Sequence, residues 1–418
     1  MKKLIFVLFL LPLCMVSQSH RIDTLIIQGH KKTKTLFLRQ IVEIKQGQLL
    51  DSTLLQQEIT RLIRLPSIAN ASFEVITINN EICKVYINVE ENYTLIPSAN
   101  IWTTTNAQFA YKLGLYEFNA LGRNIAFGGF YQNNGNDSYG VNLRAPFLFS
   151  NKWGLAINYQ KWVSEEPLYF DNGVANYEYE NKSWEALVLY QHNFLNRFEA
   201  GITTFKESYK FLNGLTSDNV PQQLAQNKLL FKLVYNYDNL TYDFQYIDGL
   251  KSTLITQYVA TESNFQNSFF IAWNDFFYYK RIGEKGNWAN RFRVGLSSNE
   301  ESPFAPFALD NNINLRGVGN IVDRGTGSIV LNTEYRYTLY EKGWFVLQGN
   351  VFTDMGAWRK PGGDFSDFRN SDNIYVYPGV GLRFIHKRIF NAVFRIDYGY
   401  GITKNASRGI VFGIGQYF

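Results

Sequence analysis

Apolar and polar positions along the chain fall into three regimes. The first is the opening MKKLIFVLFLLPLCMVSQSH, in which Lys2 and Lys3 precede an apolar stretch from Leu4 to Val16 and small, polar residues follow at Ser17 to Ser19. A positive head, a short apolar middle and a small-residue exit predict a secretory signal peptide over residues 1–19. After it, no apolar run approaches the roughly 18 residues that a spanning helix needs.

The second regime changes period several times. Leu25 and Ile27 alternate on a short strand closed by Gly29, and Leu38, Ile41 and Val42 then fall at helical spacing between Thr35 and Gly47. Asp51 is a candidate N-cap for a second helix that sets Leu55, Ile59, Leu62 and Ile63 on one face and stops before Pro66. Phe73 and Val75, then Val85, Ile87 and Val89, alternate on either side of Asn79-Asn80, the pattern of a β-hairpin. The unit reads β-α-α-β-β, a small α+β domain over residues 20–92.

From residue 93 to 418 the helical period is gone. Segments of about ten residues alternate with period two, separated by clusters of Asn, Gly, Asp, Ser and Lys. From Ala392 to Ile402, one face carries Ala392, Phe394, Ile396, Tyr398, Tyr400 and Ile402, and the other carries Arg395, Asp397, Gly399 and Gly401. The first face suits lipid and the second a wet lumen. A tilted spanning strand with its share of turn takes about 20 residues, so this region predicts a membrane β-barrel of about 16 antiparallel strands. A soluble sandwich would oppose its apolar faces to one another, whereas here large apolar residues stand opposite Gly and charge, behind an export leader.

Composition agrees with this reading and excludes others. Aromatics are 17% of the chain, with Tyr 27 and Phe 34 against Met 3, a balance that suits pleated walls and membrane interfaces better than a helical core. The net charge of +5 comes from basic and acidic residues spread along the chain with no dense basic block, which argues against nucleic acid as a partner. Cys14 lies in the leader, leaving Cys83 alone, too few thiols for a disulfide framework. His20, His30, His192 and His386 are scattered without zinc spacing, and no nucleophile elbow or phosphate-binding glycine loop occurs. Acidic pairs such as Glu165-Glu166 and Glu300-Glu301 lie in polar, loop-like stretches. The expectation is a non-enzymatic protein with no cofactor.

Several motifs carry a family resemblance. Residues 20–92 resemble a polypeptide-transport-associated (POTRA) domain in Gly29 with Thr33, and in Ile87, Val89 and Glu90 of the last strand, with His30 where such domains often have Asn. ALDNNINLRGVGN, NTEYRYTL and GNVFTDMGAW follow in the order of the BamA/TamA outer-membrane assembly superfamily, whose Arg-Gly loop folds into the barrel. Arg316 and Gly317 match the loop motif, Glu334 and Arg336 the strand after it, and Phe352, Asp354 and Gly356 a later strand; Asn119, Leu121 and Gly122 resemble the first barrel hairpin. Val318 stands where the loop motif commonly has an aromatic, and one POTRA-like unit stands where assembly factors usually have several. The ending GIVFGIGQYF, with Ile410, Phe412 and Ile414 in register with Phe418, is similar to the C-terminal signal of bacterial outer-membrane barrels, Gln416 departing from it.

The loop motif also has a physical reading of its own. A long loop threaded into a water-filled lumen has few apolar contacts, so a guanidinium held by carboxylates can fix it. Arg316 is the candidate donor, and Glu334 and Asp354 are the acceptors if Tyr335, Tyr337, Val351, Thr353 and Met355 face outward; Gly317 lets the backbone pass close to the wall. The predicted seam lies between a first strand near Asn106 to Tyr116 and a last strand from Ile410 to Phe418, weakened by Gly413 and Gly415. The resemblance implies a bacterial outer-membrane factor with its small domain in the periplasm. It would take unfolded outer-membrane or exported clients by strand addition and insert or translocate them at the seam. Outer-membrane lipids, periplasmic chaperones and accessory lipoproteins are the further partners so implied. A dedicated secretion pore for one exported partner and a passive channel are the alternatives.

Overall fold

The computed structural model describes residues 20–79, 81–103, 109–170, 172–262, 266–299, 305–309, 314–318, 323–390, 392–404 and 406–418. The expected signal peptide, Asn80 of the hairpin turn and Asn106 lie outside the described residues.

The small domain has the order β1 (Arg21–Gln28), α1 (Thr35–Ile41), α2 (Ser52–Ile63), β2 (Ile68–Thr77) and β3 (Ile82–Glu91). Asp51 caps α2 by accepting hydrogen bonds from the Thr53 and Leu54 N–H groups at 2.8 and 3.1 Å, so the candidate cap stands where the sequence places it. Leu55, Ile59 and Leu62 of α2 and Phe37, Leu38 and Ile41 of α1 bury against Val85, Ile87 and Val89. β3 is central in the sheet, parallel to β1 and antiparallel to β2. β1 is partly covered by the main chain around Gln48, which accepts from the Ile22 N–H at 2.8 Å. β2 has β3 as its one sheet neighbour and forms the open edge.

The rest of the chain closes into a barrel of sixteen antiparallel strands, from Leu95–Thr103 to Arg408–Ile414, with the three-residue Thr241–Asp243 as a side ribbon. Each strand pairs with its neighbour in sequence, the topology that hairpin connections produce. Period-two alternation decides the two faces: Phe394, Ile396, Tyr398 and Tyr400 are exposed, whereas Arg395 and Asp397 are buried inside. Ala392 departs from the expected face because it precedes the strand Val393–Tyr400 and is buried in the turn. Among the described residues no helix is long and apolar enough to cross a membrane; the barrel instead carries a belt of exposed apolar side chains on its outer face.

The first strand is a correction. It is Leu95–Thr103, and the segment read from sequence as first, ending near Tyr116, belongs to the second strand, Phe109–Ala120. Pro97 hides the alternation of the true first strand, and an edge of this kind is where a sheet tolerates proline.

The small domain packs against the barrel turns at one mouth. Arg64, the C-cap of α2, donates to the main-chain oxygens of Leu240 and Phe194 at 2.8 and 3.2 Å, with its guanidinium 4.3 Å from the Phe194 ring centre. Between domain and mouth lies a cavity of about 940 Å³ whose lining includes Arg61, Arg64, Lys152, Arg197 and Gln416.

Candidate functional site

Strand parity carries Glu334 and Asp354 inward. Along Gly327–Lys342, Asn332, Glu334 and Arg336 are buried and Tyr337 is exposed; along Phe345–Arg359, Phe352 and Asp354 are buried and Val351 is exposed. These strands are neighbours, with Glu334 opposite Phe352 and Asn332 opposite Asp354, so both carboxylates reach the same part of the lumen.

The loop after Gly286–Ser297 enters that space and delivers Arg316. Its Nε and Nη2 donate to the two Asp354 oxygens at 2.8 and 2.9 Å, its backbone N–H donates to the same carboxylate at 2.9 Å, and Nη1 donates to Glu334 at 2.6 Å. A planar fork meeting a carboxylate edge-on is the geometry that only arginine supplies. The Phe352 ring lies 3.6 Å from the guanidinium carbon, closing one face, and all three charged side chains are fully buried. Gly317 has φ +102°, and a Cβ there would stand 2.7 Å from the Gly399 oxygen, so a side chain is excluded by conformation and by the wall.

Apolar packing holds the same loop. Leu309, Leu315 and Val318 cluster with Val330, Trp358 and Tyr377, and Phe307 packs with Val259, Phe269 and Ile271. Val318 thus packs among both aliphatic and aromatic side chains.

Further charges surround the pair. Glu334 also accepts from Arg336 and, at 3.0 Å, from Arg383; Asp397 lies 3.7 Å from Arg316, 3.6 Å from Arg383 and 3.1 Å from Arg395. Sequence reasoning names Arg336 only as a motif match and assigns Arg383, Arg395 and Asp397 no part in the cluster. Their signal is parity, since each is a charge at an inward position of a strand otherwise apolar on its outer face.

The end of the chain corrects a second expectation. The last strand stops at Ile414 instead of running to Phe418; Gly413 lies within it opposite Arg395, and Gly415 has φ +96° and turns the chain inward. Arg383 donates to the Gln416 side chain at 3.0 Å, Tyr417 packs 4.6 Å from the Arg316 guanidinium, and Arg336 donates to the Phe418 main-chain oxygen at 3.1 Å. Polar and cation–π contacts to buried arginines thus take the tail away from the ladder. The structure therefore places Arg316, Gly317, Glu334 and Asp354 together, and brings Phe418 to them and not to the seam.

The barrel closes where the seven-residue last strand meets the nine-residue first strand. Below this seam, the linker from the small domain bridges to a neighbouring turn: the Tyr93 N–H donates to the Arg388 oxygen at 2.9 Å, the Phe390 N–H donates to Tyr93 at 3.1 Å, and the Phe118 and Phe390 rings are 4.9 Å apart. Among the described residues no three His, Cys, Asp or Glu side chains gather as a metal site, and Cys83 is buried in the small domain.

No protein-family model and no curated protein matches the chain. Solved structures do. A BamA from Haemophilus ducreyi lacking POTRA domains 1–3 aligns over 95% of this chain and 84% of its own with 13% identity and a TM-score of 0.55. CdiB from Acinetobacter baumannii aligns over 96% and 74% with 12% identity and a TM-score of 0.60. CdiB from Escherichia coli aligns over 95% and 76% with 9% identity and a TM-score of 0.64. At these identities the likeness establishes the fold, a sixteen-strand barrel of the BamA and CdiB type.

Proposed function

We propose that this protein resides in a bacterial outer membrane, with the small domain on the periplasmic side as a POTRA-like module, and inserts or translocates other proteins without catalysing a chemical reaction. The observation that carries the reading is the seam: a closed barrel whose last strand is short, carries Gly413, and ends in a tail turned into the lumen. A strand edge shielded so lightly can pair with an incoming strand, because its N–H and C=O groups accept any sequence. The open edge of β2 offers the same backbone chemistry at the mouth, where an unfolded client would arrive first.

In this reading Arg316, Gly317, Glu334 and Asp354 hold the loop as a fixed strut, so that the seam can part while the rest of the wall keeps its shape. A passive channel is disfavoured by the buried ionic cluster and the loop residues packed with it, which occupy lumen space beside the seam. We assign barrel assembly ahead of dedicated secretion. Depleting the protein and surveying the membrane tests this directly: loss of many barrel proteins supports assembly, and loss of a single exported protein with the barrels intact overturns it in favour of secretion.

A further inference from the structure

The two most exposed large apolar side chains among the described residues stand at one place. Leu36, at the start of α1, is 82% exposed, and Leu121, in the turn after Phe109–Ala120, is 77% exposed. The loop before α1 and this turn are fastened together. The Lys34 N–H donates to the Gly122 oxygen at 2.8 Å, the Asn119 side chain donates to Thr33 at 3.1 Å, and a Cβ on Gly122 would strike the Lys32 oxygen at 2.3 Å.

Both pieces are built to hold their side chains outward. Leu121 has φ +58°, a left-handed conformation unfavourable for leucine, and is kept there by Asn119, whose oxygens accept from the Gly122 and Asn124 N–H groups at 2.9 Å. On the other side, the Glu91 carboxylate accepts from the main-chain N–H groups of Lys31, Lys32 and Thr33 at 2.6 to 3.1 Å, which fixes the loop and leaves the lysine side chains free to project. Lys31, Lys32, Lys34 and Arg123 are all exposed around the two leucines. The nearby carboxylates turn inward: Glu91 to the loop, and Glu117 to the Asn119 N–H at 2.6 Å.

Position identifies the occupant. The turn lies at the end of two strands whose outer face carries exposed Leu113, Leu115 and Phe127, so Leu121 continues the lipid-facing band toward the small domain. Phe149, on the next turn at this mouth, is 70% exposed and extends the row. Apolar side chains at the edge of the belt, ringed by cations, match the boundary between acyl chains and acidic headgroups.

We propose that Lys31, Lys32, Lys34, Leu36, Leu121 and Arg123 form a docking surface for anionic phospholipid headgroups of the membrane leaflet facing the small domain. The leucines enter the interface, the cations hold the phosphates, and the small domain is tethered to the bilayer one strand from the seam. The inference depends on the barrel spanning a bilayer and not on which client the protein handles.

The test uses the full chain carrying Cys14→Ser, reconstituted in vesicles, with Leu121→Cys bearing an environment-sensitive fluorophore; Cys83 is buried and does not compete. In phosphatidylglycerol–phosphatidylcholine vesicles a headgroup nitroxide should quench the label, and in phosphatidylcholine alone quenching should weaken. Replacing Lys31, Lys32 and Lys34 by Gln should lower the docked population by roughly fivefold per charge removed. Leu36→Cys should report the same pattern from the helix side, and Ile76→Cys on the open strand should stay unquenched. Each variant's barrel is checked by its unchanged heat-dependent gel shift. A label that remains in water, quenching indifferent to lipid charge and to the triple change, or protection found in native membranes but not in pure lipid, which would mean a protein partner, overturns the proposal.

Discussion

The wall of the barrel is tall on one side and short at the seam. Trp153–Phe170, Gly173–Gln191 and Asn196–Gly214 hold 18, 19 and 19 residues, whereas the last strand holds 7. At about 3.3 Å per residue the tall strands run roughly 60 Å, well past a hydrocarbon core of about 30 Å even when tilted, and the last strand about 23 Å. The tall hairpins pack Leu168, Ala175, Tyr177, Tyr209 and Val220 into a cluster of their own. At the seam, contacts that other strands make along a ladder are handed to the tail in the ionic cluster and to the Tyr93 linker below. Stability is therefore concentrated away from the seam, and in the proposed membrane setting a short edge would thin the bilayer beside it at a cost of fractions of a kcal/mol per Å.

The strongest way to break this contrast is Arg316→Ala. Glu334 keeps Arg336 and Arg383, but Asp354 loses the guanidinium paired with it, and a buried charge left so costs about 3–5 kcal/mol. The heat-dependent gel shift should move to lower temperature and the loop should become protease-sensitive, with the tall hairpins unchanged. Gly317→Ala should act in the same direction at about 1–3 kcal/mol, since it puts a Cβ into a left-handed position against the Gly399 backbone; the same gel assay measures it.

Removing Gln416 to Phe418 strips two rings from Arg316 and a partner from Arg383, at about 1–2 kcal/mol. The seam should then open more readily, read as faster modification of a cysteine placed at Val411. Gly413→Val should sharpen the contrast from the other side: its Cβ would stand 2.7 Å from the end of the Arg395 side chain, which has to shift aside, and the higher strand propensity, worth up to about 1 kcal/mol, should slow client insertion by a few fold.

The smallest effect is that of pH on the joint between domains. Burial opposes the charge on Glu91, but Thr33 and the N–H groups of Lys31, Lys32 and Thr33 outweigh it and hold the carboxyl below the usual carboxylate range. A depressed pKa stabilises fully above the unfolded value and is lost as pH falls through the folded one. Exchange of the amide protons at 31–33 should therefore quicken below the ordinary range of glutamate, and Glu91→Gln should remove that dependence.

Much of this fold is legible in the sequence because alternation has a direct physical cause: a wall residue faces lipid or lumen, and Phe394, Arg395, Ile396 and Asp397 declare which. The loop cluster is legible at Arg316, Glu334 and Asp354 because a motif and strand parity coincide there. Arg383 is not legible in this way, since its role depends on strands brought together only by closure of the barrel. The tail departs from its local pattern for a related reason. Period two continues through Phe418, but the turn at Gly415 and the pull of buried guanidinium groups are tertiary effects that no local pattern encodes.

The central claim, that clients enter at the seam, is tested most directly by site-specific photocrosslinking during insertion of an unfolded barrel client. A photoreactive residue at Leu95 on the first strand or Ile410 on the last, both exposed, should capture the client, and one at Ile202 on the tall wall should not. Equal capture at Ile202, or none at Leu95 and Ile410 while insertion proceeds, would contradict it.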